Sequence, residues 1–292
     1  MFIPMITGTT QLLGVIGHPI HHSLSPVMHN AAIAHLQADY VYLPLPVKPD
    51  DLEPAIAGFA AIGLQGFNVT IPHKQAVMPL LSDVSELAQA VGAVNTVIKT
   101  EQGWMGTNTD VEGFVAPLRS HLATSPQQSA VILGNGGSAR AVVAGCAQLG
   151  FAQVQVVGRN PEKLQAFLAS WQHSPLSVNL SVHPWEQLPR LLPQASLLVN
   201  TTPIGMHPHS DDSPLSETDL TALPPGAIAY DLIYIPSPTR FLQLAERQGA
   251  IAINGLEMLV QQGAAALRLW LRQEVPVEVM RSALVDYLSQ RN

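Results

Sequence analysis

AVILGNGGSARAVVAGCAQLG, residues 130–150, carries the reading of the fold. It opens as an apolar strand (130–134), turns on closely spaced glycines and runs on as a helix (138–150). Gly134, Gly136 and Ala139 fit the G-x-G-x-x-G/A pattern in the context that pattern requires, after a strand and into a helix. Gly134 allows the tight turn, Gly136 lets backbone approach a pyrophosphate, and Ala139 keeps helix and strand close. Asn135, Gly137 and Ser138 complete a turn whose helix N–H groups face phosphates. The bland alternative is a glycine-rich turn with no ligand. Strand VQVVG (154–158), helix PEKLQAFLASW (161–171) and strands ASLLVN (195–200) and AIAYDLI (227–233) continue the series. This is the βαβ succession of a Rossmann-like dinucleotide-binding domain.

Cofactor choice is read at the end of the second strand. An NAD site usually has Asp or Glu there to hold the ribose 2′-hydroxyl. Here the run is GRNPEK (158–163), with Arg159, Asn160 and Lys163 and no acid before Glu162. A guanidinium can pair with a 2′-phosphate, so NADP is the expected cofactor. A solvated Arg and Lys on a loop is the alternative.

The chain has 292 residues, which at roughly 100–200 per domain favours two domains. Hydrophobic residues make up 47% and charged residues 12%, so folded cores are expected. Fourteen basic against 21 acidic residues leave a net charge of −7, which argues against nucleic-acid or anionic-membrane binding. Cys146 is the one cysteine, so no intramolecular disulfide forms. The 11 histidines, HPIHH (18–22) included, lack the partners and spacing of a metal site, and none is expected. The opening residues lack a basic n-region and a cleavage site, and no apolar run is membrane-length. A cytoplasmic protein is expected; oligomeric state is open, a homodimer included.

Upstream, LLGVIG (12–17), YVYLPLPV (40–47), LQGFNV (64–69) and VNTVIK (94–99) read as strands, with helices starting near Pro26, Asp50 and Pro72. Such alternation predicts an α/β fold with a parallel sheet. The polar run RSHLATSPQQS (119–129) reads as the loop into the second domain. From about Gly255 the chain turns all-helical with three- and four-residue apolar spacing, and this tail is expected to pack on the first domain. The division is then 1–110 plus 256–292, and 111–255.

Scattered polar residues in the first domain suit a small polyhydroxylated acid. Ser23 and Ser25 precede a helix, where they could cap it or bind an anion. Asn68 and Thr70 project to one side of a strand end. Asn95, Thr109 and Asp110 follow in GAVNT (92–96) and GTNTDVEG (106–113). Lys74 is predicted in the opening turn of the Pro72 helix, where the macrodipole disfavours its charge. As a lone lysine it would be solvated surface.

Taken together, SLSPVMHN, GFNVTIPHK, GAVNT, GTNTD, GNGGSAR, NTTPIGM and GLEMLVQQ resemble the shikimate dehydrogenase family in order and spacing, over nearly the whole chain. The resemblance implies an N-terminal substrate domain completed by C-terminal helices, a Rossmann-like domain, and reversible NADPH-dependent reduction of 3-dehydroshikimate to shikimate. It implies Lys74 and Asp110 as the catalytic pair, and Ser23, Ser25, Asn68, Thr70, Asn95, Tyr234 and Gln262 as substrate-holding residues. Gly255 and Met258 match positions beside the nicotinamide, Arg159 and Lys163 the 2′-phosphate clamp, and Thr202 and Met206 of NTTPIGM lie near the nicotinamide. Rival readings are a quinate/shikimate dehydrogenase preferring NAD and a non-catalytic NADP-binding protein.

Overall fold

The computed structural model describes residues 6–121, 128–172 and 174–290. Its chain separates into one unit of Met1–Gly113 with Val260–Asn292 and a second of Phe114–Leu259. Most of the predicted entry loop at 119–129, Pro126 included, lies outside the described residues.

The first unit begins β1 (Gln11–Gly17), α1 (Ser25–His35), β2 (Tyr40–Pro46), α2 (Leu52–Ala61) and β3 (Gly66–Val69). Then come β4 (Asp83–Val84), α3 (Glu86–Val91), β5 (Thr96–Thr100), β6 (Gly103–Thr107) and the start of α4 (Asp110–Leu118). The strands lie in the order β2-β1-β3-β5-β6-β4. The sheet is mixed, which corrects the all-parallel expectation: β5 runs antiparallel to both β3 and β6. Thr100 pairs with Gly103, and a two-residue connection can only reverse the chain.

No helix starts at Pro72. Residues 71–77 run through turns, and only a short 3₁₀ turn, Met78–Leu80, follows. The Lys74 carbonyl accepts the Val94 N–H at 2.8 Å, so its backbone bonds to the strand entrance and not to a helix ladder. Pro79 lacks the N–H to extend such a ladder, and a segment this short does not repay helix nucleation. The predicted conflict between Lys74 and a helix dipole therefore has no source in this segment.

The second unit contains β7 (Ser129–Leu133), α5 (Gly137–Gln148), β8 (Gln153–Gly158), α6 (Pro161–Ala169), β9 (Leu180–Pro184) and α7 (Leu188–Leu191). It continues with β10 (Leu197–Asn200), α8 (Glu217–Leu220), β11 (Ile228–Asp231), α9 (Arg240–Arg247) and β12 (Ile251–Ile253). All six strands are parallel, in the order β12-β11-β10-β7-β8-β9. This is the doubly wound arrangement, with its order reversing between β7 and β10. Val131, Leu133, Val157, Leu198 and Ala229 are among the core residues beneath the helices.

Two helices close the chain, α10 (Gly255–Leu271) and α11 (Val277–Ser289). From Val260 on they belong to the first unit, where α11 packs on α1. Trp270 of α10 donates from Nε1 to the Val97 carbonyl at 2.9 Å. Its indole lies where a side chain on Gly66 would have to go. Among the described residues no helix is long and apolar enough to cross a membrane.

Candidate active site

In the first unit the strand ends and the start of α4 bring polar side chains together. Lys74 Nζ donates to Asp110 Oδ2 at 2.6 Å, with side chains 21% and 12% exposed. Asp110 is the first residue of α4, where a helix dipole favours negative charge. Its other oxygen, Oδ1, accepts from Asn95 Nδ2 at 2.8 Å. The Asn95 amide is fixed from the opposite side, because its Oδ1 accepts the Thr109 N–H at 2.7 Å and the Thr96 hydroxyl at 3.0 Å. Asn95 Nδ2 also reaches Thr109 Oγ1 at 3.0 Å and Gln262 Oε1 at 3.4 Å. One carboxylate oxygen is thus committed to a neutral amide and the other to the amine.

Asn68 extends the lattice. Its Oδ1 accepts the Tyr42 hydroxyl at 2.7 Å, and its Nδ2 donates to the Asn95 carbonyl and Thr96 Oγ1, both at 3.1 Å. Ser23 Oγ accepts the Ser25 N–H at 3.3 Å. The N-cap of α1 is Leu24, with no side-chain cap, so neither serine serves α1 as an N-cap. The Thr70 methyl lies where a side chain on Gly17 would stand, and the Thr70 N–H donates to the Ile16 carbonyl at 2.9 Å. Ser23, Ser25, Asn68, Thr70, Lys74, Asn95, Asp110 and Gln262 all belong to this unit.

The glycine turn of the second unit sits at the reversal of strand order. Gly134 has φ +100°, and a Cβ there would meet Thr201 Oγ1 at 2.8 Å. Gly136 is the N-cap of α5, without a side-chain cap. Around Gly136 and Gly137 a Cβ would meet nothing within 4 Å. Open space at an uncapped helix N-terminus fits a diphosphate. Asn135 stands beside Gly158, whose added Cβ would lie 3.3 Å from Asn135 Oδ1 and 3.0 Å from Leu164. Arg159 and Lys163 are exposed past β8. Asn160 caps α6, its Oδ1 accepting the Lys163 N–H at 2.9 Å.

Across the same strand ends, Thr202 donates its N–H and hydroxyl to Asn200 Oδ1 at 3.0 and 2.7 Å. Met206 is exposed, Met258 is buried, and a Cβ added at Gly255 would collide with the Leu232 carbonyl. Tyr234 follows β11, and burial raises its phenol pKa. Among the described residues no three His, Cys, Asp or Glu side chains are placed to hold a metal ion.

Comparison with known proteins places this arrangement. The shikimate dehydrogenase substrate-binding domain matches residues 15–97, and the shikimate 5′-dehydrogenase C-terminal domain matches 255–285. A protein of Nostoc sp. (strain PCC 7120) named shikimate dehydrogenase (NADP(+)) is 65% identical over 97% of this chain and 99% of its own. The chain belongs to the shikimate dehydrogenase family. A crystal structure of shikimate 5-dehydrogenase from Thermus thermophilus in complex with NADP(H) and shikimate has a TM-score of 0.82 at 34% identity, covering 94% of this chain and 98% of that one. The Listeria monocytogenes enzyme, in complex with shikimate and NAD, has a TM-score of 0.87 at 33% identity over 96% and 98% of the two chains.

Several residues that shape this site are silent in the sequence of this family member. Thr96 and Tyr42 orient Asn95 and Asn68, yet each sits in an ordinary strand run. Asn200, Asp231 and Thr239 form a buried hydrogen-bonded set under the Thr202 loop. Only a polar residue ending an apolar strand, as in LLVN and IAYD, could have signalled Asn200 and Asp231.

Proposed function

We propose that this protein is an NADP-dependent shikimate dehydrogenase, reversibly reducing 3-dehydroshikimate to shikimate in the cytoplasm. The observation that carries the reading is the Lys74–Asp110 pair at 2.6 Å, held from behind by Asn95. A ketone accepts hydride poorly unless its oxygen is protonated as charge develops. The Lys74 ammonium supplies that proton to the carbonyl oxygen, and in the oxidation direction the amine takes it back. Asp110 anchors the amine by a charge-assisted hydrogen bond, and Asn95 keeps the carboxylate from turning away. NADPH, when bound, supplies the hydride. Gly134, Gly136 and Gly137 would leave room for its diphosphate at the start of α5, and Arg159 and Lys163 would pair with its 2′-phosphate. Ser23, Ser25, Asn68 and Thr70 hold the carboxylate and hydroxyls of the substrate.

The test is absorbance at the NADPH band with shikimate or quinate crossed against NADP⁺ or NAD⁺. Fastest turnover is expected with shikimate and NADP⁺. Preference for quinate or NAD⁺ would move the assignment to the rival dehydrogenase, and no turnover with any pair would leave a binding protein.

A further inference from the structure

Asp231 is fully buried at the end of β11, and the chemistry above makes no use of it. Its Oδ1 accepts from Asn200 Nδ2 at 3.0 Å and from the Ile233 N–H at 3.1 Å; its Oδ2 accepts the Thr239 hydroxyl at 2.7 Å. Every partner donates, as suits an acceptor-only carboxylate. Asn200 and Asp231 are also register partners on adjacent parallel strands.

The consequence runs through Asn200. With its amide nitrogen held by Asp231, its Oδ1 faces the other way and takes both the N–H and the hydroxyl of Thr202. The same nitrogen lies 3.3 Å from the Ile204 carbonyl. On β11, Asp231 fixes the first turn of the loop bearing Tyr234, and through Thr239 it fixes that loop's far end at the N-cap of α9. The neighbouring strand ends alike: Asn254 Oδ1 accepts the Leu256 N–H at 3.0 Å, while its Nδ2 donates to Ser237 Oγ at 3.2 Å. The Gly255 N–H donates to the Ile233 carbonyl at 3.1 Å. Three adjacent strands, β10, β11 and β12, therefore end in side-chain-held turns that are tied together, with Asp231 at the centre. Thr202, Met206, Tyr234, Gly255 and Met258 all follow directly from these turns.

We propose that Asp231 is a positioning residue for the nicotinamide end of the cofactor site, acting through Asn200 on the 201–206 loop and through Ile233 and Thr239 on the 232–238 loop. The inference rests on the NADP-dependent reading. The adenosine end is held separately, past β7 and β8. Weakening Asp231 should therefore spare cofactor affinity and disturb alignment for hydride transfer.

The experiment compares Asp231→Asn, Thr239→Val and Thr239→Ser in the full chain, with Leu220→Ala as a core-destabilised control. Two readouts are taken: amide hydrogen exchange of the cofactor-free protein, and kcat with the dissociation constant for NADPH. Asp231→Asn and Thr239→Val should speed exchange in 200–206 and 232–239 while leaving the 134–140 turn unchanged. They should also lower kcat about 10–100-fold, the size of a misalignment effect, with NADPH affinity near wild type. Thr239→Ser should behave as wild type. Unchanged exchange in 200–206, or the same pattern from Leu220→Ala, overturns the proposal. If Asp231→Asn does not fold, Thr239→Val decides alone. Wild-type turnover with shikimate and NADP⁺ tests the underlying reading separately.

Discussion

At the scale of single residues, the site depends on which atom faces which. Asn95 has the proton inventory to connect two donors on one side with the Asp110 carboxylate on the other. Asn95→Asp would set a second carboxylate against Asp110, and like charges at that distance do not both ionise. We expect kcat to fall by about 10²–10⁴, comparable to loss of a positioned acid–base group, measured across pH against wild type. Arg159 acts on a different quantity. Arg159→Ala should weaken NADP binding by about 1.5–3 kcal/mol, the range for a charged hydrogen bond, while NAD binding barely changes. Equal effects on both cofactors in titration would remove Arg159 from the 2′-phosphate site.

At the scale of elements, close approach decides what is tolerated. Trp270 of α10 occupies the space beside Gly66 of β3 and bonds the Val97 carbonyl. Gly66→Ala should cost about 1–3 kcal/mol by overpacking, read by urea unfolding of the full chain; an unchanged midpoint would contradict this docking. Elements with a strong local signal were legible in the sequence. The 130–150 run carries strand, turn and helix in one stretch, so local chemistry suffices to identify it. The strands β4, β9 and β12 were not legible, because each lies at a sheet edge and its residues are mostly half-buried or exposed; the interior strand β6, GWMGT, was missed because its two glycines weaken a strand signal. The segment after Pro72 misled for a related reason: its proline and apolar residues suit a helix start, but long-range bonds from Val94 and a second proline at 79 overrule the local pattern. Asn200 and Thr239, joined through Asp231, stand 39 residues apart in sequence, and nothing local marks the three as partners.

At the scale of the whole molecule, two buried groups give the units opposite responses to acid. Burial lowers the pKa of His29, in the first unit, from 6.5 to about 4. The stability this contributes is present above pH 6.5 and is lost as pH falls through 4. Burial raises the pKa of Asp231, in the second unit, from 3.8 to about 6. Its contribution is present below pH 3.8 and is lost as pH rises through 6. Each amounts to about 3 kcal/mol. Hydrogen exchange of core strands reads the units separately. Relative to wild type, Asp231→Asn should gain protection in β7, β10 and β11 as pH rises from 4 to 7, and His29→Phe should gain it in β1 and β3 as pH falls over the same range. Parallel pH curves for variant and parent would contradict either assignment. Whether the amine of Lys74 moves the proton while hydride is transferred is read from a single turnover. Wild type and Lys74→Ala are each saturated with shikimate and mixed rapidly with NADP⁺, and the first cycle is followed at the NADPH band. A first-turnover rate about 10²–10⁴ lower in the variant, with shikimate affinity little altered, is the predicted result; a first turnover at the wild-type rate contradicts it.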